Sequence, residues 1–244
     1  MQAIVLAGGL ATRMRPRTLT VPKSMLEVCG RPFVDWQLER LAACGYRRVT
    51  MCVGFLGEPI REHVGDGSRF GLEVDWSVDE RVPPSHPSAP PTLLGTAGAI
   101  RSALDRLEDT FLVTYGDSFL PFDYAEPLIL LDRCDDCDGV MAVYRNAGQW
   151  DTSNVITDGS WVLRYEKGQH DEAFDHIDYG ATALRRDVIA AIPPGQRHGL
   201  DAVQHDLAAR KRLRAVVARD RFFEIGSPEG LDELDRHLRT GLMS

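Results

Sequence analysis

The chain has 244 residues, 43% hydrophobic and 26% charged, with a formal net charge of −8. That size and balance suit one soluble domain with a sizeable core, and no run approaches the roughly 20 apolar residues of a membrane span. The acidic balance argues against a general nucleic-acid surface, so an anionic ligand has to rely on local positive charge. The N-terminal sequence is MQAIVLAGGLATRMRPRTLTVPKSM. It enters an apolar segment with no basic region or cleavage site before it, so no signal peptide is expected and a cytoplasmic location is the default. Ala3–Ala7 reads as a strand that breaks at Gly8-Gly9, followed by Arg13, Arg15 and Arg17 and then Pro22-Lys23. Glycines at a strand's C-terminal end let the backbone come close to a phosphate, with no Cβ in the way. The cations after them can neutralise its charge. An ordinary turn would also use Gly-Gly, so the phosphate reading rests on the combination. Neither common phosphate loop is present: G-x-x-x-x-G-K-[ST] is absent, and Gly8-Gly9 is not part of a G-x-G-x-x-G.

Pro32–Cys44 reads as a helix, with Phe33, Trp36, Leu38 and Leu41 among its apolar positions and Gly45 as its stop. Arg48–Val53 is a strand, Gly57–Val64 a short helix, Leu72–Val78 a strand, Ala97–Leu107 a helix, and Thr110–Tyr115 a strand ending at Gly116-Asp117. This alternation predicts a doubly wound, Rossmann-like α/β domain, its sheet mixed but mostly parallel and flanked by helices. Short strands follow at Gly139–Tyr144, Asn154–Ile156, Val162–Glu166 and Tyr179–Leu184, expected as a small β extension. Helices are expected at Arg186–Ala191, His198–Arg210 and Pro228–Leu238, and with no repeat or linker the chain reads as one domain, 1–244. Arg81–Thr92 holds five prolines in twelve residues, which excludes a central strand or helix. It is a surface insertion, or else a lid or subunit contact. Cys134 and Cys137 form a lone C-x-x-C among five cysteines. With no second pair they read as ordinary cysteines of a reduced protein, redox or adventitious metal binding being the alternative. The seven histidines show no metal-ligand spacing, and no G-x-S-x-G occurs.

Leu6–Thr18 with Pro22–Met25 resembles the signature L-A-G-G-x-x-T-R-M-R-P-x-T … P-K-x-M of the sugar-1-phosphate nucleotidyltransferases, or NDP-sugar pyrophosphorylases. Ala11 stands where that family usually has glycine. The resemblance implies that Leu6, Ala7, Gly8, Gly9, Thr12, Arg13 and Lys23 surround the nucleotide, with Arg13 on the departing β/γ-phosphates and Lys23 on the α-phosphate. Leu94–Ala99, LGTAGA, would by itself be a helix start capped by Thr96; the resemblance implies base and ribose contacts from Gly95, Thr96 and Gly98. A strand-end Asp117 is a turn or cap residue on its own, whereas the family's G-D places a Mg²⁺ ligand there. Glu224, in FFEIGSP, stands where the family usually has an aspartate that also binds Mg²⁺; a role toward the sugar or a basic neighbour is the alternative. Glu166-Lys167 alone is a solvated pair, but the resemblance puts Glu166 near sugar hydroxyls and Lys167 on the sugar phosphate. Tyr115, Gly180 and Asn154 complete the expected sugar-phosphate set, with the β extension above it. Glu224-Ile225-Gly226 and the DTSN of 151–154 resemble the heptose-1-phosphate guanylyltransferase branch. The implied reaction is Mg²⁺-assisted transfer of a nucleoside monophosphate from an NTP, GTP favoured, to a heptose or hexose 1-phosphate. Alternatives are a non-sugar phosphorylated alcohol as acceptor, or a non-catalytic nucleotide-sensing subunit. Homodimers are common in the family.

Overall fold

The computed structural model describes residues 1–9, 21–54, 56–78 and 94–242. Thr12, Arg13, Arg15, Arg17 and the proline-rich 81–92 stretch lie outside them. In chain order the elements are β1 (Gln2–Ala7), β2 (Glu27–Val28), β3 (Arg31–Pro32), α1 (Phe33–Ala43), β4 (Arg48–Val53), α2 (Gly57–Val64) and β5 (Glu73–Val78). Next come α3 (Gly95–Ser102), β6 (Thr110–Tyr115), β7 (Ser118–Phe119), α4 (Ala125–Asp132), β8 (Gly139–Arg145), β9 (Val155–Thr157) and β10 (Val162–Tyr165). The last are β11 (His176–Arg185), α5 (Arg186–Ala190), α6 (Leu200–Ala209), β12 (Leu213–Ala218), β13 (Phe223–Glu224) and α7 (Pro228–Leu242).

Strand alternation explains the layers. Ala3 and Val5 of β1 pack with Val34, Leu38 and Leu41 of α1 and Ile60 of α2. Ile4 faces the other way, into Ala97 and Ile100 of α3 and Leu207 of α6. Side chains alternate across a strand, so a strand apolar on both faces needs helices on both sides. The central sheet has nine described strands. β5, β4, β1 and β6 run parallel. β11 then joins β6 antiparallel, β8 joins β11 antiparallel, and β12 joins β8 parallel. A third cluster holds Leu26, Val28, Phe33, Phe223, Ile225, Leu231 and Leu234, tying α7 to the β2–β3 hairpin and to β13. No described helix is long and apolar enough to cross a membrane.

Several expectations are corrected. The four strands expected as an extension, β8, β9, β10 and β11, all join the nine-stranded sheet; β9–β10 is attached to the start of β11 at Val155. β7 and β13 form a separate two-stranded ladder. Six elements were not predicted: β2, β3, β7, α4, β12 and β13. α4 carries an unbroken Leu128–Leu131 run with no helical period, and Pro127 sits in its first turn, where a missing amide costs no intrahelical bond. β12 lacks clean alternation because Ala215 and Val216 are both buried while the apolar Val217 is exposed. The helix expected over Ala97–Leu107 starts at Gly95, stops at Ser102 and gives way to a tight turn at Leu104–Arg106. Cys134 and Cys137 are joined by a disulfide rather than being ordinary thiols. The turn after α4 brings their Cα atoms to 5.7 Å, inside the range a bridge spans.

Candidate active site

The C-terminal ends of the parallel strands meet on one edge of the sheet, where α/β folds hold ligands. Ala7 is in register with Val53, and Leu6 with Tyr115. The loops leaving these strands touch backbone to backbone. A Cβ on Gly54 would lie 2.7 Å from the Gly8 carbonyl oxygen, and one on Gly116 would lie 2.8 Å from the Ala7 Cβ. The Gly116 amide donates to the Leu6 carbonyl at 2.9 Å. A Cβ on Gly9, by contrast, would meet no described atom within 4 Å.

Lys23, in a short turn after the arginine-bearing segment, places Nζ 2.7 Å from Asp117 Oδ2. Their side chains are 16% and 33% exposed, so the pair is open enough to exchange partners. Ser24 donates its hydroxyl to the Gly116 carbonyl at 2.8 Å, and the Ile225 amide donates to the Asp117 carbonyl at 3.0 Å. β13 pairs with β7, which sets Glu224 opposite Ser118 and next to Asp117. Burial pushes the Tyr115 phenol above its ordinary range, and Asp178, Asp201, Asp117 and Glu224 push it further. Among the described residues no three His, Cys, Asp or Glu are grouped to hold a metal. A cation here would draw on Asp117, Glu224 and substrate phosphate oxygens, a donor set that suits Mg²⁺.

Further candidate groups come from β11 and from the segments flanking β9 and β10. Lys167 Nζ stands 6.0 Å from the Tyr115 ring centroid, at the outer limit of a cation–π contact. Gly180 has φ +93, within the bulge where β11 shifts register against β8 between Asp178 and Thr182. A Cβ there would sit 3.6 Å from the Tyr115 ring. Asn154 is buried, and its Oδ1 accepts the Asp178 amide at 2.9 Å, locking β9 onto β11. Glu166 is held by Arg164, whose Nε donates to it at 2.8 Å and lowers its pKa below the usual range.

The sequence reading did not single out Asp178. Its Oδ1 accepts the Gly180 amide at 3.0 Å and its Oδ2 accepts Gln204 Nε2 at 3.2 Å. Burial raises its pKa, while the Gly180 amide, Lys167, Gln204 and Tyr165 act to lower it. The signal was available: Gln204 is a polar residue inside the apolar Leu200/Val203/Leu207 stripe of α6, which argues for a buried partner.

The LGTAGA segment contacts protein closely. Thr96 Oγ1 accepts the Leu200 amide at 2.7 Å, so it helps cap α6 from across the sheet edge. A Cβ on Gly98 would lie 2.9 Å from Leu94 Cβ and 3.1 Å from the Gln196 carbonyl oxygen. Gly95 has φ +77, and a Cβ there would lie 2.6 Å from the His198 carbonyl oxygen. Gly95→Ala is therefore expected to destabilise the fold by about 1–3 kcal/mol, from left-handed strain and the clash together. Thermal melts check this, and an unshifted midpoint would contradict the packing described.

Comparison with known proteins gives a consistent picture. A model of the nucleotidyl transferase family matches residues 2–154. A mannose-1-phosphate guanylyltransferase of Mycobacterium tuberculosis is 32% identical over 80% of this chain and 52% of its own. The D-glycero-alpha-D-manno-heptose 1-phosphate guanylyltransferase of Campylobacter jejuni is 26% identical over 94% of this chain and 96% of its own. The chain thus spans about half the length of some of the curated relatives it matches, and nearly all of another. Among solved structures, a Bacillus anthracis protein crystallised with sucrose superposes with a TM-score of 0.82 at 17% identity, covering 98% of this chain and 95% of that one. HddC from Yersinia pseudotuberculosis complexed with GMP-PN superposes with a TM-score of 0.73 at 23% identity, covering 97% and 99%. Strand-end glycines, a Lys–Asp pair on the sheet edge and the match over most of the first two-thirds of the sequence agree: the chain belongs to the nucleotidyl transferase family.

Proposed function

We propose that the chain transfers GMP from GTP to a heptose or hexose 1-phosphate, releasing pyrophosphate. The observation that carries this reading is the Lys23–Asp117 pair at 2.7 Å on the strand-end edge, with Lys167 Nζ 6.0 Å from the Tyr115 ring centroid. Two cations are then available, one for each phosphate that must meet. An oxygen of the sugar phosphate attacks the α-phosphorus in line, the α–β P–O bond breaks, and pyrophosphate leaves with the bonding electrons. The attacking oxygen is already anionic, so no general base or covalent nucleophile is required, and positioning with charge stabilisation suffices. Lys23 exchanges Asp117 for an α-phosphate oxygen as the nucleotide enters. Arg13 neutralises the departing phosphates. Lys167 holds the acceptor phosphate, with Gly180 leaving room for the sugar beside Tyr115. A Mg²⁺ ion on Asp117 and Glu224 would supply further neutralisation of phosphate charge.

GTP is favoured because Glu224-Ile225-Gly226 and the DTSN segment resemble the guanylyltransferase branch, and two of the relatives above are guanylyltransferases. Other relatives are uridylyl- and thymidylyltransferases. The test is pyrophosphate release with Mg²⁺, screening GTP, ATP, CTP, UTP and dTTP against a panel of sugar 1-phosphates. Sugar-dependent release with GTP is expected. Release with a different base would overturn the nucleotide assignment alone, and no sugar-dependent release with any pair would overturn the activity.

A further inference from the structure

We infer that Gln37 of α1 is a positioning residue that sets the Asp117 carboxylate in place before any ligand arrives. The inference rests on the proposed reading of Asp117 as a metal ligand. Gln37 is 1% exposed. Its Nε2 donates to the Tyr115 carbonyl at 2.7 Å and to the Ser118 carbonyl at 3.2 Å. One amide nitrogen carries two N–H groups, so a single side chain pins the loop on both sides of Gly116-Asp117. Ser24 holds the Gly116 carbonyl and the Ile225 amide holds the Asp117 carbonyl. All four consecutive carbonyls from Tyr115 to Ser118 are therefore held, and Gln37 supplies two of the four bonds.

Packing does not account for this residue. Gln37 lies in the buried stripe of α1 with Phe33, Val34, Leu38 and Leu41, where leucine or methionine would fill space with no polar atom to satisfy. Among the described residues the buried Oε1 of Gln37 has no hydrogen-bond partner, a cost that native folds rarely keep without a reason. Turning the amide over would face its oxygen against two carbonyls, so the observed orientation is the one that serves the loop. What the position needs is a donor, and its two targets bracket the proposed metal ligand. Groups that orient a metal ligand typically change metal affinity about 10- to 100-fold when removed.

The experiment compares wild type with Gln37→Met, of similar length but without the donor, by two measurements that require no turnover. Amide hydrogen exchange reads opening at Gly116 and Ile225, whose N–H bonds close the loop. Titration with Mn²⁺ alone, followed by electron paramagnetic resonance, reads the metal site. The expected result is faster exchange confined to this loop and Mn²⁺ binding weakened at least 10-fold, with the protein folded. Unchanged exchange, or unchanged Mn²⁺ affinity despite faster exchange, would overturn the positioning role alone. A wild-type protein that binds no Mn²⁺ would overturn it together with the metal reading beneath it. Should Gln37→Met fail to fold, Gln37→Asn, too short to reach both carbonyls, carries the same expectation.

Discussion

Lys23→Ala is expected to lower kcat by about 10²- to 10³-fold, the scale seen when one preorganised donor to a developing charge is removed. The fold should survive. Lys23 belongs to a short turn, and the Asp117 it leaves behind is 33% exposed and can be hydrated. The effect should fall on kcat more than on KM for the sugar phosphate, because Lys23 acts on the α-phosphate as charge builds there and the acceptor is held by Lys167. Lys23→Arg should recover little, since the larger planar guanidinium does not put its charge where the compact ammonium sits. Arg13→Ala carries the same expectation on the leaving phosphates. Pyrophosphate release with a parallel thermal melt decides it: near-normal turnover in a folded Lys23→Ala protein would defeat the assignment.

Asp117→Asn should cost about 10³-fold in kcat, roughly 4 kcal/mol of transition-state stabilisation. The substitution keeps size and most hydrogen-bonding shape, so the Gly116 and Asp117 backbone bonds to Ser24 and Ile225 remain. What it removes is the charge that faces Lys23 and would hold a divalent cation. Activity should no longer respond to Mg²⁺ in the millimolar range, whereas Lys23→Ala should keep that response. The double variant should lose little more than Asp117→Asn alone, because groups that act as one unit are not additive. A Mg²⁺ response unchanged in Asp117→Asn would place the metal elsewhere.

Much of this arrangement was legible in the sequence, and the physical reasons differ from part to part. β1 with its glycine end, and β6 before Asp117, could be read because each signal is local: an apolar run followed by a break. Asp117 and Lys23 were singled out by the family resemblance, since a strand-end aspartate by itself reads as a turn or cap residue. α4 and β12 were missed because one lacks a helical period and the other lacks strict alternation, and tertiary contacts decide both. The helix start at Leu94–Ala99 was legible, but the partner of Thr96 was not: Leu200 lies far along the chain, and no local pattern couples them. Gln37, Gln204 and Asp178 share another cause. Gln37 and Gln204 are polar residues at buried positions and Asp178 is half-buried, and the meaning of each depends on which group it faces. A glutamine inside an apolar helical stripe marks such a partner without naming it, as Gln37 does for Tyr115 and Ser118, and Gln204 for Asp178 and Thr182.

The most direct measurement follows the phosphorus itself. GTP labelled at the α-phosphate and, separately, at the γ-phosphate is incubated with Mg²⁺ and the sugar 1-phosphate that supports release. The α label should move into an NDP-sugar and the γ label should appear in pyrophosphate, both only when the sugar phosphate is present. A γ label on the acceptor, or an α label that never leaves the nucleotide, would contradict the proposed transfer.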